Sequence, residues 1–153
     1  MSKQLSIVII LLALVSCVTT TEKYQLNVDC VVPTEILFKS LTEQLMFEGL
    51  HVTQSEVKLG YLRAESAAGH SNMINGTIQR IWEFHVIDYH VTAYAKTLHV
   101  SKGRFGNVVA SGSVYYRDDT CKDWTWYWNV RNRLRSFCGN DIKIIRTDVK
   151  NIY

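Results

Sequence analysis

The stretch from Thr77 to Tyr116 reads as strand after strand, and only an antiparallel sheet takes up so long a β pattern in a compact chain. Trp82, Phe84 and Val86 alternate on one face, and the phase breaks near Asp88, where a turn or bulge is expected. A strand over Val91 to Val100 follows, then a loop from Lys102 to Asn107 and another strand from Val108 to Tyr116. Such a sheet has one apolar face, and something must cover it. Two amphipathic segments are available. One starts at Pro33 or Thr34, places Ile36, Leu37, Phe38, Leu41 and Leu45 on a broad face, and stops at Gly49, where a left-handed C-cap belongs. The other runs from Trp124 to Cys138, with Asp123 as its cap, a stripe of Tyr127, Val130, Leu134 and Phe137, and Gly139-Asn140 as its stop.

Tyr24 to Val31, Leu50 to Thr53, Tyr61 to Ser66 and Ile142 to Arg146 complete the strands, and Ala67 to Gly76 reads as a polar loop. The order β-α-β-β-β-β-β-α-β predicts an α+β two-layer sandwich: a mostly antiparallel sheet with two helices packed on one face. Composition agrees. Hydrophobic residues make up 47% and Pro occurs once, which excludes disordered and collagen-like classes. A net charge of +3 from 17 basic and 14 acidic side chains gives no electrostatic footprint for nucleic acid, so none is expected as a partner.

Ile7 to Val15 is an unbroken apolar run of nine residues, less than half of what crosses a bilayer, and it follows a short polar start with one cation, Lys3. That is the pattern of a signal peptide, over residues 1–16. Leu14-Val15-Ser16-Cys17 then resembles the lipobox of bacterial lipoproteins: an aliphatic residue, a tolerant position, a small residue and a Cys. The resemblance implies that the Cys17 sulfur takes a diacylglyceryl group and becomes the mature N-terminus. Each buried methylene is worth about 0.8 kcal/mol, so two or three chains would hold the protein on a membrane. It further implies the outer membrane, facing the periplasm, because Val18 stands where Asp would direct retention at the inner membrane. Residues 17–23 are expected to be a lipidated tether of at most ~20 Å, and residues 24–153 a single domain.

With Cys17 lipidated, Cys30, Cys121 and Cys138 remain in an oxidising compartment. A helix of about 14 residues is ~21 Å long, so Cys121 and Cys138 at its two ends cannot bridge directly. If the strands run strictly up and down, Cys30 pairs with Cys121; one strand miscounted would give Cys30 with Cys138; buried thiols are the third alternative.

No nucleophile elbow, zincin, P-loop or dinucleotide fingerprint is present, and His51, His70, His85, His90 and His99 have no recognised ligand spacing. The expectation is no catalytic residue, no metal and no cofactor. Glu83, Asp88 and His90 are the one group that an acid–base enzyme, such as a cell-wall hydrolase, would use. The outstanding surface feature is a helical stripe, Trp124, Trp128, Arg131 and Arg135, in a C-terminal third with seven basic and three acidic residues from Lys122 to Lys150. Aromatic bodies beside guanidinium groups suit a membrane interface, an envelope protein or a glycan. The function expected is a membrane-anchored envelope lipoprotein with a non-enzymatic binding or scaffolding role. A carrier of a lipid or other apolar ligand is the alternative, with a pocket lined by Phe38, Leu41, Trp82 and Phe84.

Overall fold

A computed structural model describes residues 19–71, 76–121 and 124–151. Cys17, the lipobox before it, and Asp123 lie outside the described residues. The strands are β1 (Thr19–Asp29), β2 (Leu50–Glu56), β3 (Tyr61–Ser66), β4 (Gly69–Ser71), β5 (Gly76–Ile87), β6 (His90–Lys102), β7 (Val108–Tyr115) and β8 (Lys143–Asn151). The helices are α1 (Thr34–Phe47) and α2 (Thr125–Cys138), with a short 3₁₀ turn at Val57–Leu59. All pairings are antiparallel, in the order β2-β3-β5-β6-β1-β8, with β4 on β5 and β7 on β6. The α+β two-layer architecture is as expected, with one strand more: Gly69–Ser71 folds back on β5 instead of remaining loop.

The break near Asp88 is a two-residue hairpin turn. Asp88 and Tyr89 have φ of 48° and 65°, the left-handed pair that matches the twist of the flanking strands. Gly49 and Gly139, both at positive φ, end the helices where the sequence places the stops.

Strand alternation sends Leu26, Val28, Leu62, Ala64, Trp82, Phe84, Val91, Ala93 and Ala95 to one face, where they are buried against Leu37, Phe38, Leu41 and Leu45 of α1 and Trp126, Tyr127, Val130 and Leu134 of α2. Trp82 lies at the centre, stacked on Phe84 at 5.4 Å and on Tyr127 at 5.5 Å between ring centroids. Ile36 departs from its expected place and is exposed, since Leu37 and Phe38 already fill the core side of that turn. The helices run antiparallel: Asn129 near the start of α2 donates to Glu48 just past the end of α1 at 2.7 Å.

Two expectations about the chain ends are corrected. Thr19 to Lys23 is not a tether but the first half of β1, paired with Thr147 to Asn151 of β8. Its run of threonines suits a strand once β8 supplies a partner. The second concerns the disulfide: of the alternatives, Cys30 joins Cys138 and not Cys121, and Cys121 is a buried free thiol. Strict up-and-down alternation fails at β7. Its last ladder pair sets Tyr115 opposite Lys96, mid-way along β6, because β1 occupies the same edge of β6 from Ala93 to His90. The chain leaves the sheet at half height, and α2 then runs toward the Cys30 end of β1, bringing Cys138 there.

Peptide mapping under non-reducing conditions should recover Cys30 linked to Cys138 and Cys121 alkylatable only after unfolding. The bond closes a span of 108 residues. Replacing Cys138 with Ser should lower stability by about 3–5 kcal/mol in urea unfolding.

Candidate functional site

The four residues of the expected contact stripe have three different surroundings. Trp128 is half-buried, and its indole Nε1 donates to the Cys121 carbonyl at 2.7 Å. The Arg131 side chain is only 12% exposed; it pairs with Asp118 at 2.6 Å and lies 5.1 Å from the Trp128 ring centre. Asp118 also accepts the Tyr127 hydroxyl at 2.7 Å. These contacts clamp the crossing segment 116–121 onto α2. Arg135 is exposed at the far end and donates to Asn140. The stripe is therefore not one open face: its middle is structural, and only Trp124 faces a pocket.

That pocket arises from a mismatch in length. Fourteen helical residues span roughly 21 Å, whereas thirteen strand residues span roughly 43 Å. The helix layer thus stops short, and the inner face of β5 and β6 continues uncovered toward the end of the sheet where β1 begins. Ile78 and Arg80 continue the inward parity of Trp82; Thr97 and His99 continue that of Ala95. With Tyr116, Trp124, Thr125 and Trp126 they enclose about 490 Å³. Trp124 is 38% exposed and meets Tyr116 edge-on at 4.8 Å, while Trp126 is 6% exposed and edge-on to Trp82 at 6.2 Å. On the floor, hydrogen bonds join the Thr97 hydroxyl to the Tyr116 hydroxyl at 2.6 Å and to His99 Nε2 at 2.9 Å. Burial pushes the Tyr116 phenol up; the bond to Thr97 opposes that shift. The Arg80 guanidinium sits 5.7 Å from the Trp126 ring centre. A larger groove, about 550 Å³, lies between α1 and α2, but its walls are Gln44, Asn129, Asn132, Arg133 and Ser136 with only Phe47 apolar. The pocket beside Trp124 has the mix of aromatic walls and converging polar atoms that marks small-ligand sites.

Sequence reasoning missed Arg80, Thr97, His99, Tyr116 and Trp126. The signal was present as parity: reading back from Trp82, the inward positions become Arg80 and Ile78, and a cation on a core-facing position marks a stretch without cover.

Glu83, Asp88 and His90 are not gathered. Glu83 is on the outer face, bonded to Lys96 at 2.9 Å and Arg63 at 3.0 Å. Asp88 is in the hairpin turn, and His90 pairs with Asp29 at 2.8 Å. Cys121 is equally ill-suited to nucleophilic work, because burial holds its thiol up to about 11. Phe38, Leu41, Trp82 and Phe84 are each no more than 2% exposed and fill the space between the layers. Among the described residues, no group of three or more His, Cys, Asp or Glu side chains is placed to hold a metal ion, and no helix is long and apolar enough to cross a membrane. No protein family, curated protein or solved structure matches the chain.

Two measurements check this account. Asp118→Ala leaves Arg131 and the Tyr127 hydroxyl without their acceptor and should cost about 3 kcal/mol in denaturant unfolding. Cys121 holds its proton more tightly folded than unfolded, so its contribution to stability is whole below about pH 9 and is lost as pH rises through about 11. Cys121→Ala should flatten that part of the pH–stability curve.

Proposed function

We propose that this chain is a lipid-anchored, non-enzymatic binding protein of the bacterial cell envelope, with the pocket beside Trp124 as its contact site. The observation that carries the reading is that pocket: three aromatic side chains, a hydrogen-bonded hydroxyl and imidazole floor, and a guanidinium, on a stretch of the inner face the helices leave open. The sequence Leu14-Val15-Ser16-Cys17 supports the anchor. β1 begins at the end of the sheet where β6 finishes and β7 starts, so the pocket lies toward the side from which an anchor at Cys17 would lead. Phe105, 96% exposed between Arg104 and Gly106 in the β6–β7 loop, is at that end too. Partners of this site would be an envelope protein or a glycan, with the bilayer engaged through the lipid. The separation of Glu83, Asp88 and His90 favours binding over hydrolysis. Phe38, Leu41, Trp82 and Phe84 are packed into the core and do not line the pocket that the carrier reading expects of them.

Mass spectrometry of the native N-terminal peptide tests the anchor: a Cys17 carrying diacylglycerol is the expected result, and an unmodified Cys17 ends the envelope assignment. In intact cells, a photoreactive residue at position 124 should give a discrete adduct, and one at Arg135 should not. Equal labelling at both would remove the pocket from the proposal.

A further inference from the structure

We infer that the pocket is a saccharide site selective for a sugar ring bearing a carboxylate, with Trp124 as stacking platform and Arg80 as the anion contact. This rests on the pocket being the contact site, and not on the anchor.

The first observation is the isolation of Arg80. Among the described residues, Arg63, Arg117, Arg131, Arg133 and Arg146 each pair with an Asp or Glu, and Arg104 and Arg135, which do not, are exposed and away from the pocket. Arg80 has no carboxylate within ion-pair distance among the described residues, and its guanidinium is held over Trp126 instead. A cation–π contact with an indole holds the guanidinium near the pocket without consuming a carboxylate acceptor. Among the described residues, no acidic side chain lines the pocket. A single guanidinium balances the single charge of a carboxylate and accepts it bidentately; a phosphate monoester would bring more charge than the site neutralises.

The second observation selects the body of the ligand. Trp124 presents ring surface at the mouth, and the apolar C–H face of a pyranose fits against the negative face of an indole. The floor chain from Tyr116 through Thr97 to His99 consists of groups that both donate and accept. Sugar hydroxyls do the same, and such a ligand satisfies them in either sense. A flat aromatic acid would stack on Trp124 and leave that chain unmatched. A volume of about 490 Å³ admits one or two sugar units.

The test uses the full chain in detergent, titrated by protein-observed NMR with methyl glucuronide, methyl glucoside and inorganic phosphate. Methyl glucuronide should bind at millimolar concentration and about tenfold more tightly than methyl glucoside, the preference of a charge-assisted pair over a neutral one. Arg80→Gln should erase that preference while leaving glucoside binding in place. Trp124→Ala should weaken both sugars, and Trp124→Phe should restore them in part, which separates loss of the platform from loss of fold. Equal binding of the two sugars, a preference that survives Arg80→Gln, preferential binding of phosphate, or no binding of either sugar overturns the inference. A protein adduct at position 124 in cells, together with no sugar binding, would overturn the ligand class and leave the contact site standing.

Discussion

The edge of β6 is shared by two strands, and most of the molecule follows from that division. β1 takes the edge from His90 to Ala93 and β7 takes it from Lys96 to Lys102. Neither can lengthen without displacing the other. The chain must therefore leave β7 at Tyr116, in the middle of the sheet, after a last backbone bond from its amide to Ala95. From there α2 can run only toward the Cys30 end, antiparallel to α1. The Cys30–Cys138 bond, the clamp on Asp118 and the uncovered inner face beyond Trp126 are all consequences.

The crossing segment is the costly part of this arrangement. It carries backbone polar groups across the open side of the core, and they must be satisfied. Trp128 takes the Cys121 carbonyl, Thr120 closes a turn on Arg117, and Asp118 gathers Tyr127 and Arg131. Burial of Tyr127, with Asp118 as its acceptor, drives that phenol far above its ordinary range. The stripe on α2 that resembles a binding surface in sequence is thus largely the other half of this clamp. Aromatic and guanidinium side chains serve both purposes, and helical spacing alone does not separate them.

Much of the fold was legible because its signals are local. Alternation around Trp82 and Phe84, the stripe from Tyr127 to Leu134, and Gly49 and Gly139 fix element type and ends through two periodicities and a backbone preference. What was hidden is non-local. The Thr19–Lys23 segment looks like linker until β8 pairs with it, and Gly69–Ser71 looks like loop until β5 does. The disulfide depends on where β7 stops, which the length of β1 decides. Of the site, only Trp124 was anticipated; Arg80 and His99 sit on the neighbouring strands β5 and β6, brought together by register rather than by spacing.

Nine successive residues of β1, from Thr19 to Asn27, lie opposite β8, and the strands are antiparallel. A pull on the chain ahead of Thr19, directed along the strand axis, would slide β1 past β8. Every hydrogen bond in that ladder would bear the load at once, instead of breaking one at a time like a zip. Beyond Leu26 the same strand is gripped by β6, and at Cys30 it is welded to the end of α2. Mechanical tension entering at one extremity is thereby carried through the full depth of the sheet to a covalent stop at the other.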